Sequence, residues 1–222
     1  MAITLTEARL IIAHGVGRTL AAGTPFTEDK ADVAIKAVLH HVNFTAKVLR
    51  SRATFETVAD QVAANFTTAS TTFEMRRLLS MRIGLASGTD LYDPFTHKNL
   101  NYVQRLLSTD TGTAQPKFLG FETNAIALLY PIPDAAYTIT YIWNEPEADF
   151  AIGANGAGVT FNMPEDVIYP ALTWGGTAAF QYHDMATRVG SRGWIQYEKW
   201  LAELKDEYTD QGEDFVEPDT TW

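Results

Sequence analysis

The stretch from Lys117 to Glu147, KFLGFETNAIALLYPIPDAAYTITYIWNEPE, constrains the fold more than any other part of the chain. In its second half Tyr137, Ile139, Tyr141 and Trp143 alternate with Thr138, Thr140 and Ile142. That period of two sets the aromatic and aliphatic side chains on one face of a strand. In its first half Ile126, Leu128 and Tyr130 share a face in the same way. Pro131 and Pro133 stop that run, because proline has no N–H for a ladder, and Asp134 is a usual turn residue. The pattern predicts two strands joined as a stiff hairpin with a large aromatic face. The segment carries no reactive group, which suits structure or docking better than catalysis.

Helical periodicity flanks this region on both sides. Leu5, Ala8, Ile12 and Val16 form a stripe at spacings of three and four, with Thr4 or Thr6 as cap and Gly23-Thr24-Pro25 as the stop. Thr27 is a good N-cap for a second helix, and Glu28 and Asp29 suit the positive end of its dipole. Ile35, Val38, Leu39, Val42, Ala46 and Leu49 are its expected buried stripe, and the two helices are expected to pair. After Met163-Pro164, Asp166 is the expected cap of a further helix, with Pro170 near the end of its first turn. Ala171, Gly175, Ala178, Ala179 and Tyr182 make a face of small residues that admits another helix closely. A last helix is predicted from about Ser191 to Tyr208, where Trp194, Tyr197, Leu201, Leu204 and Tyr208 recur at helical spacing.

Between the helical ends, strands are expected at 66–68, 71–73, 78–83 and 159–162, and a short helix at 99–107. The fold class is therefore α+β. Residues 1–50 and 163–208 are expected to form one helical bundle around a β-rich insertion at 51–162, with an acidic extended tail at 209–222.

The chain has 222 residues and 46% hydrophobic side chains, enough for a core without staples. It has no cysteine, which excludes disulfides, thiolate nucleophiles and cysteine metal sites. No apolar run approaches the roughly 20 residues that a spanning helix needs, and the first residues lack the basic start of a secretory signal. A protein without a membrane segment is expected. The net charge is −10, and residues 203–222 hold eight acidic side chains against Lys205 alone. Such an end solvates well, yet Phe215, Val216 and Trp222 argue for an interaction tail. Net acidity opposes general binding of nucleic acid.

Motifs for chemistry are absent. His40 and His41 are adjacent and diverge on a helix, and His14, His97 and His183 lack ligand spacing, so no metal is expected. The Gly153–Gly158 stretch superficially matches a dinucleotide loop, but Val159-Thr160-Phe161 follows where a helix is required. No cofactor and no catalytic residue is expected. Arg76, Arg77 and Arg82 form a small basic group, read as a solvated sheet edge or as a patch for an acidic neighbour such as another subunit's tail.

The strand, Tyr130-Pro131-Ile132-Pro133-Asp134 turn and strand, preceded by Gly112–Lys117 and followed by Met163-Pro164-Glu165-Asp166 and two closing helices, resemble the head-to-tail adaptor proteins of short-tailed bacteriophages, the tail-tubular-A-like group. The resemblance implies a virion structural protein and not an enzyme. It implies a homo-oligomeric, dodecameric ring that meets the portal protein on one side and the tail nozzle or tube protein on the other, with DNA passing through unbound. Ring-interface candidates are then Gly175, Ala178 and Tyr182 on one helix, Trp194, Tyr197 and Leu201 on the other, and Arg76 and Arg77. Phe215, Val216 and Trp222 are the candidates for gripping the portal or a neighbour. An alternative is a β-sheet binding module in which Tyr137, Tyr141 and Trp143 stack on a carbohydrate or another host surface component.

Overall fold

Thr4 opens the first helix, α1 (Leu5–Val16), with a capping box: its hydroxyl accepts from the Glu7 N–H while the Glu7 carboxylate accepts from the Thr4 N–H. Gly17, at φ 68°, ends the helix well before Gly23, its left-handed backbone letting its N–H close the last turn on the Ala13 and His14 carbonyls. Thr27 caps α2 (Glu28–Ala46), which buries Ile35, Val38, Leu39, Val42 and Ala46 as its stripe dictates. The computed structural model describes residues 2–22, 26–66, 78–85, 93–147, 149–182 and 185–210. The expected strand at 71–73, most of that at 66–68, and Arg76, Arg77, His183, Phe215, Val216 and Trp222 lie outside them.

The class is α+β. One packing unit runs up to Leu49 and resumes at Pro146, and a second unit runs from Arg50 to Glu145. The second therefore ends earlier than residue 162. Phe150, Phe161 and Met163 are buried with the helices, so the stretch after Glu145 belongs to the helical core. Thr160 makes only an isolated bridge to Thr4 in place of the strand expected at 159–162.

In the sheet unit the strands are β1 (Arg50–Glu56), β2 (Ala63–Asn65), β3 (Leu78–Leu85), β4 (Asp93–Pro94), β5 (Thr96–His97), β6 (Phe118–Phe121), β7 (Ile126–Tyr130) and β8 (Tyr137–Asn144). They make two sheets, ordered β1-β8-β3-β4 and β2-β7-β6-β5. The expected hairpin is overturned: β7 and β8 belong to different sheets. β7 pairs with β6 and β2, whereas β8 pairs antiparallel with β1 and β3. Pro131 and Pro133 carry the chain from one sheet to the other instead of folding it back. The core face of β7 also differs. Ala127 and Leu129 are buried, while Ile126, Leu128 and Tyr130 are half-buried. In β8 the aromatic face points inward as its period requires, with Tyr137, Ile139, Tyr141 and Trp143 all buried.

Both sheets feed one core, centred on Phe66, whose ring meets Phe55, Tyr141 and Phe121 at centroid distances of 4.9, 5.0 and 5.1 Å. The Tyr141 hydroxyl donates to the Phe66 carbonyl at 2.7 Å, which satisfies the one polar atom of a fully buried side chain. Helix α3 (Leu100–Thr109), capped by Asn99, passes close over β6. A Cβ at Gly120 would lie 2.9 Å from the Leu100 Cα, so only glycine lets this crossing occur.

The helical unit closes with α4 (Glu165–Pro170), a wide turn over Ala171–Gly176 with π-type spacing, α5 (Thr177–Gln181), α6 (Met185–Val189) and α7 (Arg192–Asp210). Pro170 terminates α4 rather than sitting in its first turn, and the ladder widens where its N–H is missing. Pro164, not Asp166, occupies the cap position, and Asp166 lies in the first turn. Among the described residues no helix is long and apolar enough to cross a membrane.

Candidate functional site

The two helix faces expected to meet neighbouring subunits meet each other. A methyl group at Gly175 would lie 2.7 Å from the Tyr197 ring, so the missing side chain is the space that the ring fills. Gly175, Ala178, Trp194, Tyr197 and Leu201 are all buried in the helical unit's own core, Tyr197 completely. They are therefore not open to a ring neighbour, and that assignment is corrected. Spacing alone showed that each stripe needed a partner and could not show that the partner was in the same chain. Tyr182 alone of these candidates remains exposed, at 36%. Burial pushes the Tyr197 hydroxyl well up from its ordinary value, and the hydroxyl lies 2.9 Å from His41 Nδ1. The His41 ring stacks on Trp194 and is held below the usual imidazole range chiefly by desolvation.

The glycine-rich loop serves the fold and holds no phosphate-binding geometry of the Rossmann kind. Gly153, at φ 76°, donates its N–H to Asp32 Oδ2 at 2.9 Å. Asp32 is fully buried and takes a bidentate pair of bonds from Arg9 Nε and Nη2, at 2.8 and 2.7 Å. Arg9 also reaches Glu28 at 2.8 Å and the Ala154 carbonyl at 3.1 Å, and hydrogen bonding to Asp32 raises its already high pKa. At the far end of the loop, a Cβ on Gly156 would lie 2.5 Å from the Thr6 hydroxyl and 2.9 Å from the Thr6 backbone N. The loop is thus clamped to α1 and α2. The sequence reading missed this cluster. Its signal was two opposite charges, Arg9 and Asp32, sitting at stripe positions of consecutive helices.

A second face of α2 does open outward. Val33, Lys36, Ala37 and His40, at spacings of three, one and three, form one wall of a groove of about 520 Å³. The other wall comes from Pro146, Glu147, Asp149, Phe150, Ile152 and Phe161. Val33 and Ile152 are each 52% exposed, so the groove presents apolar carbon to its surroundings. Lys36 Nζ donates to Asp149 Oδ1 at 2.5 Å and lies 4.9 Å from the Phe150 ring centroid. Lys36 in turn holds the Asp149 carboxyl below the usual carboxylate range. The pair is solvent-washed, so it shapes the rim and adds little stability. The Glu147 carboxylate accepts from the Asn162 and Met163 N–H groups at 2.8 and 2.9 Å, which fixes the loop that forms the wall. This arrangement is suited to seating an apolar side chain of another protein.

Tyr137, Tyr141 and Trp143 are 5%, 0% and 3% exposed, so they are core and not a stacking platform for sugars. Among the described residues no three of His, Cys, Asp and Glu converge as metal ligands would. The chain matches no protein-family model and no curated protein.

Proposed function

We propose that this chain is a structural component of a bacteriophage virion: the adaptor ring between head and tail, which docks on the portal, extends the DNA channel and carries the tail nozzle. The reading rests on the resemblance in residues 112–139 and 163–166, and on an element order of helices, two sheets and helices. The observation that carries it furthest is the open apolar groove along α2. A head-to-tail ring needs two different surfaces on each copy, a socket and something to enter it. The groove is the socket. Exposed apolar residues elsewhere on the helical unit, Val189 and Ile195 at 46% and 45%, supply the entering side. The chain's acidity suits a channel that must pass DNA without gripping its phosphates.

The test is assembly with the portal of the same virus, followed by imaging. Rings seated on the portal are expected from the intact chain, and Val33→Asp with Ile152→Asp should abolish them while helical content stays unchanged. A chain that remains monomeric at every concentration beside the portal removes the proposal.

A further inference from the structure

The outward face of the β1-β8-β3-β4 sheet is chemically unlike the rest of the molecule. Register sets Arg50 opposite Asn144, Arg52 opposite Ile142, and Thr54 opposite Thr140, while on the other side of β8 Ser80 and Arg82 face Ile142 and Thr140. Directly opposed residues project to the same side of a sheet, so Arg50, Arg52 and Arg82 share one face, away from the core side of Ile139 and Tyr141. Arg52, Thr54 and Arg82 are exposed. Neither Arg52 nor Arg82 has an acidic partner among the described residues. Between them, Thr140 Oγ1 is buried without a hydrogen-bond partner, in a side chain only 7% exposed. An unmet buried hydroxyl is costly, and this one lies on β8, between the two arginine-bearing strands. The setting sharpens the contrast: residues 50–145 hold eight basic and nine acidic side chains, a net of −1, so the remaining −9 of the chain's −10 lies elsewhere.

Part of that charge sits in a segment suited to this face. Asp210–Trp222 carries five acidic side chains and no basic one, together with Phe215, Val216 and Trp222. We infer that the arginine face receives the Asp210–Trp222 segment of a second copy of this chain. The choice of a second copy rests on the ring reading above. Arg52 and Arg82 are two strands apart, roughly 10 Å, and offset by one two-residue step, about 7 Å. Four extended residues cover roughly 13 to 14 Å, the separation of Glu213 from Glu217 along the chain, and side chains four apart project to the same side of an extended segment. Glu213 and Glu217 therefore pair with the two guanidinium groups. Half-buried Ile142, between Arg52 and Ser80, gives an apolar rest for Phe215, and an arginine plane stacks on Trp222.

The test uses a fluorescein-labelled peptide spanning Asp210–Trp222, titrated against the full chain by anisotropy. Binding is expected, weakened about tenfold by Arg52→Glu with Arg82→Glu, and recovered on that variant by a peptide carrying Glu213→Lys and Glu217→Lys. Exposed charges on a sheet surface tolerate this change, and Arg52→Gln with Arg82→Gln gives the same direction without reversing the field. A mixture separates neighbours from self-contacts. The double-Glu chain, with its segment intact, should bind a chain ended after Tyr208 whose face is intact. Failure of that pair to associate overturns the second copy as source. Equal peptide affinity for wild type and the double-Glu chain overturns the site. A 20-base-pair duplex that displaces the peptide from wild type assigns the face to nucleic acid and also overturns the inference. These readouts need no portal. Peptide and mixed-pair binding without rings on the portal would sink the adaptor reading alone, and rings with an indifferent face would sink this inference alone.

Discussion

In the helical unit, Arg9 and Asp32 are buried as an ion pair tied to two backbone groups of a glycine loop, and Gly175 gives way to the Tyr197 ring. In the sheet unit the centre is Phe66 amid Phe55, Phe121 and Tyr141, and its polar contact is one tyrosine hydroxyl on a carbonyl. The first solution is directional. Each charge and each glycine meets specific partners at fixed geometry. The second is dispersive, and its rings tolerate small shifts against one another. The difference teaches where each unit is brittle: the helices at single polar contacts, the sheets at bulk volume.

That contrast is breakable. Asp32→Ala strips buried Arg9 of its buried bidentate partner, leaving the largely exposed Glu28 carboxylate and the Ala154 carbonyl, and should cost up to about 3 to 5 kcal/mol. Phe66→Ala should cost a similar amount, about 3 to 5 kcal/mol, through a cavity. Denaturant unfolding followed through Trp143, or through Trp174, Trp194 and Trp200, reports the two units separately. The discriminating variant replaces the ion pair by carbon. Arg9→Met with Asp32→Leu should recover most of the Asp32→Ala loss, falling short because the Gly153 N–H and the Ala154 carbonyl lose their partners. Recovery of nothing would mean that the cluster is not limited by desolvation. Next in size is Gly175→Ala, where a methyl driven into Tyr197 should cost about 1 to 3 kcal/mol in the helical transition only.

The last effect is silent at neutral pH and appears only in alkali. Burial pushes the Tyr141 hydroxyl up to about 12, and burial followed by its bond to Asp134 does the same for Tyr137. Both stay protonated in the folded chain where an unfolded tyrosine, near 10, has ionised. The unfolded state then binds fewer protons, so their contribution is intact below pH 10 and is lost as pH rises toward 12. Tyrosinate absorbance should lag for the sheet unit until unfolding releases it. A full tyrosinate signal at pH 10.5 in the folded protein would refute the burial argument.

The legible parts of the fold were those with local causes. Thr4 and Thr27 cap their helices through their own side chains, and the stripes of α2 and α7 face inward as spacing requires. β8 showed its inner face because threonines alternate with its rings. β7 did not, since Ile126-Ala127-Leu128-Leu129-Tyr130 is apolar on both faces and the period gives no preference. Strand pairing was invisible for a different reason: β1 joins β8 across 82 to 94 residues, whereas a proline turn is read locally. The groove was missed because Val33, Ala37 and His40 lie off the buried stripe of α2, and the opposite wall comes from residues 146–161, distant in sequence.

The helical unit is interrupted in sequence by all of Arg50–Glu145. During synthesis at about 5 to 20 residues per second, α1 and α2 wait on the order of ten seconds for α4 to α7 to emerge. Through that interval Ile35, Val38, Leu39 and Val42 have no lid, while the sheets, contiguous in sequence, finish first. The nascent chain is therefore most exposed to trigger factors and proteases through its earliest helices, and a circular permutant that joins the two helical segments directly should shorten that window.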